Sequence, residues 1–200
     1  MVRHLSEIVP EDYPYYFFDT NVWIYYLKST AISPTVHWQR PYLDFVDAVF
    51  QAASMEDPKL TKRMKNVPKV IVTSLLQAEL INAYLGQVVL KQAQDRYAND
   101  ELTLKRYRNT HPTEYKSKLD DFLENFLAFE EYFYYLDDSF RDLGPNSLLR
   151  SLDRNADYND LYYAKHLILW GKSVCVITND QDFSFPNLNV ATTNNILLRR

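Results

Sequence analysis

Glycine is scarce in this chain of 200 residues, which has only three glycines beside 16 tyrosines. The patterns GxGxxG and GxxxxGK followed by Ser or Thr are both absent, so the sequence excludes two glycine-rich loops by which many nucleotide-binding proteins cradle phosphate groups. A composition so poor in glycine and so rich in tyrosine favours a chain dominated by helices.

Cysteine occurs only once, as Cys175, inside the apolar run Val174–Thr178. A single cysteine cannot form a disulfide within the chain, which is typical of proteins from a reducing compartment. We therefore expect a cytoplasmic protein in which Cys175 is a small buried hydrophobic residue rather than a reactive thiol.

Long hydrophobic runs are missing as well. The longest, Tyr13–Phe18 and Leu161–Trp170, are too short or too interrupted by polar residues to cross a bilayer. Met1–Asp12 is short and polar and lacks the basic stretch and apolar run of a signal peptide. We therefore expect neither a membrane segment nor export.

The chain instead alternates between strand and helix patterns, and its length and 46% hydrophobic content fit a single domain over residues 1–200. Short buried strands are predicted at Tyr15–Phe18, Lys69–Thr73, Tyr132–Leu136, Val174–Thr178 and Asn189–Thr192. Helices are predicted from about Val22, over Pro41–Ala53, after Ser74, over Ser139–Leu152 and over Asp157–Trp170. This order predicts an α/β fold with three α/β/α layers around a central, mostly parallel sheet.

The segment from Gly86 to about Glu131 is predicted to be a helical insertion into this fold. Its residues are charged and follow a helical pattern that breaks near His111 and Pro112.

Four acidic residues follow predicted strands or begin predicted helices. Asp19 and Asp180 come directly after strands, Glu79 lies just over a turn into the helix after Ser74, and Asp160 lies in a first helical turn. Loops that leave the carboxyl ends of parallel strands share one edge of the sheet, so the four carboxylates are expected to meet there.

Carboxylates that meet without a counter-charge repel one another, and a hard divalent cation relieves the repulsion. The four acids therefore predict one or two Mg²⁺ or Mn²⁺ ions, which activate water and stabilise the charge that develops on a phosphodiester. The net charge of −4 gives no general attraction to nucleic acid, which argues mildly against a nucleic-acid partner. This argument is weaker if some of the acids surround cations.

Each acid taken alone also has an ordinary structural interpretation. Asp19 before Thr20 and Asn21 is more typical of a helix cap than of a metal ligand. Asp157 has the spacing of a cap for the helix that contains Asp160, so we assign Asp157 to capping and Asp160 to the metal. Asp182 is interpreted as a surface acid beside Asp180.

The motifs around these acids, in the order in which they occur, resemble those of PIN-domain nucleases. The closest resemblance is to the VapC-like toxins of toxin–antitoxin pairs, which are Mg²⁺- or Mn²⁺-dependent endoribonucleases that commonly form dimers. The resemblance covers Val70 to Tyr84 and both ends of the chain, and it is carried by Phe18 to Asn21, Ser74 to Asn82, Asp157 to Asp160 and Val176 to Phe183. The insertion from Gly86 departs from the compact toxins.

The resemblance implies a PIN-like fold and a ribonuclease that cleaves RNA, with an antitoxin protein and a second copy of the chain as partners. By matched position, it implies that Asp19, Glu79 and Asp160 coordinate the metal and that Asp180 is a more variable fourth acid. Thr20, Asn21 and Thr178 match polar residues that orient carboxylates or water in such sites.

Two other functions fit part of the pattern. A haloacid-dehalogenase-like phosphohydrolase also has an Asp after its first strand, but its motif needs a second Asp where this chain has Asn21 and a small residue where it has Trp23. The non-enzymatic alternative is a PIN scaffold that binds RNA or protein without catalysis. Such modules typically lose acids from the site, whereas this chain has all four.

Basic residues form two stretches, one of Lys59, Lys62, Arg63, Lys65 and Lys69 and one of Lys105, Arg106 and Arg108. Charge runs of this kind are usually solvated surface. Beside a metal site they would hold RNA phosphates, with tyrosines such as Tyr97 or Tyr107 stacking on unpaired bases. The four histidines show no metal-ligand spacing, and His166 is expected to pack within its helix.

Overall fold

The computed structural model of the chain describes residues 1–29, 37–55, 57–152 and 157–199. Its sheet contains six strands, β1 (Val2–His4), β2 (Tyr15–Phe18), β3 (Lys69–Val72), β4 (Phe133–Tyr135), β5 (Val174–Ile177) and β6 (Asn189–Thr192). Their order in space is β1-β6-β5-β2-β3-β4, and every neighbouring pair is parallel. The predicted three-layer α/β/α fold is confirmed, with a sheet that is wholly rather than mostly parallel.

Strand β2 lies in the middle of this sheet, with Phe18 opposite Ile177 of β5 and Tyr16 opposite Val70 of β3. The last three residues of β2 and of β3 are buried, as is the whole of β5. Strands covered by helices on both faces need no polar side, which is why these strands occur in the sequence as continuous apolar runs.

The helices are α1 (Thr20–Ser29), α2 (Arg40–Ala53), α3 (Pro58–Thr61), α4 (Ser74–Tyr84), α5 (Leu90–Tyr97), α6 (Leu104–Thr110), α7 (Pro112–Leu127), α8 (Pro145–Arg150) and α9 (Tyr158–Trp170). A π-helical turn, Leu85–Val89, joins α4 to α5. Shorter 3-10 turns lie at Leu5–Glu7, Pro10–Asp12, His37–Gln39, Glu130–Tyr132 and Leu197–Arg199. Among the helices described, none is long and apolar enough to cross a membrane.

Helix α9 begins and ends where the sequence predicts. The side chain of Asp157 accepts a hydrogen bond from the Asp160 amide over 2.9 Å and so caps the first turn. Gly171 ends the helix with a φ of 70°, a left-handed conformation that suits glycine. The capping assignment of Asp157 is thereby confirmed.

The segment after α5 is helical, as predicted, and α7 begins at Pro112 just after the predicted break. Phe122 and Phe126 of α7 are buried, and the ring of Phe126 lies 5.1 Å from that of Trp23 between centroids. The insertion therefore adds to the hydrophobic core instead of standing apart from it.

Two local expectations differ from the structure. Strand β1 was not predicted at all. The predicted helix Ser139–Leu152 is helical only over Pro145–Arg150, since it begins at the break that the pair Gly144 and Pro145 indicates in the sequence, where Gly144 takes a left-handed φ of 66°. Thr73 caps α4, since its hydroxyl accepts from the Leu76 amide over 3.1 Å.

One face of α4 is buried. Leu76, Leu80 and Tyr84 lie on this face, whereas Ala78 is exposed. The buried positions recur every four residues, and Glu79 lies at the border between this face and the exposed one.

Candidate active site

The four predicted acids lie along the carboxyl edge of the sheet. Asp19 follows β2 directly, and its amide donates to the carbonyl of Ile177 at the end of β5 over 3.0 Å. Asp180 is in the loop after β5, and Glu79 is in the helix that follows β3. Helix α9 leads back to the start of β5, so its first turn, with Asp160, lies at the same edge.

Asp19 is the most buried of the four, with 6% of its surface exposed. Its Oδ2 atom accepts a hydrogen bond of 2.8 Å from the Thr178 hydroxyl. Burial raises the pKa of Asp19 to about 7, and the charges of Glu79 and Asp180 act in the same direction against the opposing Thr178 bond. The negative charge of an ionised Asp19 is therefore compensated only in part, by the hydrogen bond from Thr178.

Asp160 is half-buried. Burial, followed by the negative charges of Asp157, Asp19, Asp180 and Glu79, raises its pKa to about 8. The charges that act on Asp160 include those of the other three predicted acids, so the four acids share one electrostatic environment.

Glu79 accepts a hydrogen bond at Oε2 from the hydroxyl of Tyr163, with an O···O distance of 2.7 Å. Tyr163 is buried, and burial followed by this bond to Glu79 raises its pKa. The sequence interpretation did not select Tyr163, although it lies three residues after Asp160 and therefore on the same face of α9. From the sequence alone, a functional tyrosine in an apolar helix cannot be distinguished from an ordinary core residue.

Thr178 joins two of the acids. While its hydroxyl donates to Asp19, its oxygen accepts from the Asp180 amide over 2.9 Å. The Asp182 amide in turn donates to Oδ1 of Asp180 over 2.8 Å, so the loop after β5 turns tightly around Asp180.

The loop after β5 is also held by Tyr42, a fully buried residue of α2 that the sequence interpretation did not select. Its hydroxyl donates to Oδ1 of Asn179 over 3.0 Å, accepts from the Thr193 amide over 2.9 Å and lies 3.0 Å from the Thr192 hydroxyl. One buried hydroxyl thus ties the ends of β5 and β6 to α2, next to Asp180.

The hydroxyl of Thr20 is buried beside Asp19 and has no hydrogen-bond partner among the residues that the structure describes. An unsatisfied buried hydroxyl costs free energy, on the order of 1 to 3 kcal/mol, and an oxygen left in this state is suited to a water or another ligand. Asn21, the other polar residue expected to orient the site, lies half-buried in the first turn of α1.

The donor chemistry of this edge fits a hard divalent cation, since it combines carboxylate oxygens that repel one another with a buried hydroxyl that lacks a partner. In the part of the chain that the structure describes, no group of three or more His, Cys, Asp or Glu side chains stands in a position to hold a metal ion. The four acids thus share an edge and an electrostatic environment, but they do not form an enclosed ligand set as they stand.

The two tyrosines expected to stack on bases are engaged within the insertion. Tyr107 is buried, so that expectation was wrong for it. Tyr97 is exposed but stacks on the ring of His111 at 4.2 Å between centroids and donates to Glu114 over 2.6 Å. His166 and Cys175 are buried, as predicted.

Comparisons with models of protein families, with curated proteins and with solved structures find no match to this chain. What the protein does is therefore inferred from the chemistry of its site.

Proposed function

We propose that this protein is a metal-dependent endoribonuclease of the PIN type, which hydrolyses phosphodiester bonds in RNA. The observation that carries the proposal is that four acids lie along the carboxyl edge of the sheet, where burial, together with the negative charges of the neighbouring acids, raises the pKa of Asp19 to about 7 and that of Asp160 to about 8. Structural acids are usually paired or exposed, and perturbed pKa values of this kind concentrate at functional sites.

Asp19, Glu79, Asp160 and Asp180 would hold Mg²⁺ or Mn²⁺, as one or two ions. When bound, such a cation supplies a water of lowered pKa and neutralises the charge that develops on the phosphate. Asp19 is fixed at the bottom of the site by Thr178, whereas Asp160 and Asp180 are half-buried and therefore accessible to the RNA backbone.

Within this function, the protein is proposed to act in the cytoplasm as the toxin of a toxin–antitoxin pair, as a homodimer with an antitoxin partner. An antitoxin segment would occupy the site by placing an Arg against the carboxylates, since bidentate Arg–carboxylate pairs are strong. Suppression of RNA cleavage by a small protein encoded next to this chain would support the pairing, and cleavage unaffected by it would reject it.

The decisive experiment is cleavage of a mixed single-stranded RNA pool by the purified full chain with Mn²⁺, with EDTA, and with an Asp160→Asn variant. We expect cleavage only when both Mn²⁺ and Asp160 are present, with a loss of at least about 100-fold in the variant. Asp157→Asn is the matched control, because Asn also caps a helix well and should keep most of the activity.

Cleavage that survives EDTA or the loss of Asp160 would reject the proposal. An absence of cleavage together with an absence of Mn²⁺ binding by calorimetry would also reject it, in favour of a PIN-like scaffold that binds RNA or protein without catalysis. Equal losses in Asp157→Asn and Asp160→Asn would overturn the assignment of Asp160 as the ligand.

A further inference from the structure

Cationic side chains are concentrated in one short segment, residues 58–69, which has five of them and no acid in a chain of net charge −4. Lys69, the last of the five, is engaged within the protein, because its Nζ donates to the carbonyl of Glu131 over 2.8 Å. The other four cations are exposed, and they are Lys59, Lys62, Arg63 and Lys65.

The segment reaches the sheet at the edge where the strands begin. Lys69 is the first residue of β3, and its amide donates to the carbonyl of Pro14, just before β2, over 3.0 Å. Nδ2 of Asn66 donates to the carbonyl of Glu11 in the turn that precedes β2, over 2.9 Å. The four exposed cations come within ten residues before Lys69, in α3 and the turn after it. They therefore lie toward the amino edge of the sheet and form the amino-edge patch.

Most of this patch lacks an acidic partner. Among the residues that the structure describes, Lys59, Lys62 and Arg63 take part in no ion pair. Lys65 pairs with Asp12, but over an N···O distance of 4.0 Å and with its side chain 71% exposed, so the pair contributes little. The protein therefore leaves the positive charge of the patch largely without a counter-charge.

The nearest acid on the α2 side does not neutralise the patch either. Oδ1 of Asp57 accepts a hydrogen bond of 2.8 Å from the backbone amide of Lys59, which caps α3 rather than pairing with a cationic side chain. The two edges of the sheet consequently carry opposite charges, with the patch toward the amino edge and the four predicted acids at the carboxyl edge. A phosphate group is attracted to the first edge and, in the absence of a metal ion, repelled by the second.

The local structure of the patch suits a nucleic-acid backbone better than a lipid surface. A basic helix that lies on a membrane inserts a broad apolar face, whereas α3 has only four residues. Val67 is exposed nearby, but a single apolar side chain does not make such a face. A single-stranded nucleic acid has phosphates along a flexible backbone, which can follow cations on a short helix and a turn.

We propose that the amino-edge patch is an RNA-binding surface, which holds the phosphate backbone of a single-stranded RNA on the side of the sheet away from the four acids. The distribution of charge carries the inference, and the choice of RNA among polyanions rests on the proposed function. The contact is electrostatic and independent of base sequence, because phosphate contacts carry no sequence information directly. It requires no metal ion.

The test is fluorescence anisotropy of a labelled single-stranded RNA of about 16 nucleotides, the upper end of usual site sizes, with the full chain in EDTA at several salt concentrations. The variant combines Lys62→Ala with Arg63→Ala. We expect its affinity for the RNA to fall by about tenfold at low salt. The slope of log affinity against log salt concentration should fall by about 1.4, since each phosphate contact on a single strand contributes about 0.7.

The matched control combines Lys91→Ala with Lys116→Ala. Both lysines are exposed, but each pairs with an Asp four residues later, with N···O distances of 3.1 and 2.6 Å. The control changes the net charge by the same amount as the patch variant and should keep the wild-type affinity and slope. Urea unfolding of both variants should give free energies close to that of the wild type, because all four side chains are on the surface.

Equal RNA binding by the wild type and the patch variant, or equal losses in the patch variant and the control, would overturn the inference and leave the proposed nuclease intact. A wild type that binds no RNA in EDTA would do the same. Binding to phosphatidylserine vesicles that depends on Lys62 and Arg63, with RNA binding unchanged, would assign the patch to a membrane and overturn the inference. Patch-dependent RNA binding by a chain that cleaves no RNA with Mn²⁺ would uphold the inference and reject the nuclease.

Discussion

At the scale of single residues, the chemistry of the site depends on how much water each carboxylate has lost. Asp19 is nearly inaccessible and Asp160 half-buried, and both hold their protons more tightly than an exposed Asp. Because folding favours the protonated forms of these acids, the free energy of unfolding falls as the pH rises and the acids ionise. A cation that binds the ionised acids opposes this loss.

Asp19→Asn is expected to weaken the pH dependence of stability in metal-free protein. Because the pKa of Asp19 rises from 3.8 to about 7 on folding, its stabilising contribution is complete below about pH 4 and is lost as the pH rises through 7. Urea unfolding in EDTA should show the wild type losing on the order of 4 kcal/mol more than the variant over this window.

Added Mn²⁺ should reverse the trend in the wild type, since the ion binds ionised carboxylates and therefore stabilises the protein more at alkaline pH. Asp44→Asn serves as a control, because Asp44 is an exposed carboxylate on α2, away from the four acids. A pH profile of Asp19→Asn identical to that of the wild type would contradict the assignment.

The position of Asp19 and Asp180 at the carboxyl edge of the sheet was predictable from the sequence, because Asp19 directly follows an apolar run and Asp180 lies two residues after another. Tyr163 and Tyr42 were not, since a tyrosine on an apolar helix face is compatible with ordinary packing. Their partners, Glu79 and Asn179, lie far away in the sequence, and only the tertiary fold places each hydroxyl against its acceptor.

At the scale of elements, the strands that are buried on both faces were predictable and the edge strand β1 was not. Tyr15–Phe18 and Val174–Ile177 are continuous apolar runs, whereas Val2–His4 is half-buried and contains one apolar residue. Strand β1 forms because it pairs with β6, which is distant in the sequence. The residues of β1 alone therefore do not predict a strand.

The ends of helices give a matched test of backbone conformation. Gly171→Ala should destabilise the protein by about 1 kcal/mol, because Gly171 ends α9 at a φ of 70° that alanine adopts with strain. Gly86→Ala should instead stabilise it by about 0.5 to 1 kcal/mol, since Gly86 lies in the π-helical turn and an added Cβ meets nothing within 4 Å. Thermal and urea unfolding of both variants measure the difference, and equal effects would contradict this account.

At the scale of the whole molecule, the insertion and the sheet share one hydrophobic core. Phe126 of α7 packs against Trp23 of α1 and against Phe133 of β4, with ring centroids 5.1 and 4.9 Å apart. Phe122 of α7 also packs against Tyr84 of α4, with 4.8 Å between ring centroids, so the insertion is coupled to the helix that carries Glu79 and to the helix that begins just after Asp19.

Phe126→Ala should therefore destabilise the entire protein by about 3 to 5 kcal/mol, as expected for a large buried aromatic side chain. The neighbouring Leu127 is 43% exposed, so Leu127→Ala is the control and should cost well under half of that. Circular dichroism and tryptophan fluorescence should report one common transition for Phe126→Ala, and two separate transitions would show that the insertion unfolds by itself.

The pairing of β1 with β6 has a consequence for synthesis of the protein. Val2 lies opposite Val190, so β1 can pair with β6 only after the ribosome has added the residues between them, which takes about 10 to 40 s. The same delay applies to Asp19, whose bond to Thr178 requires β5. A nascent chain therefore emerges with Asp19 and Thr178 still apart, and the carboxyl edge of the sheet is assembled only after β5 has been synthesised.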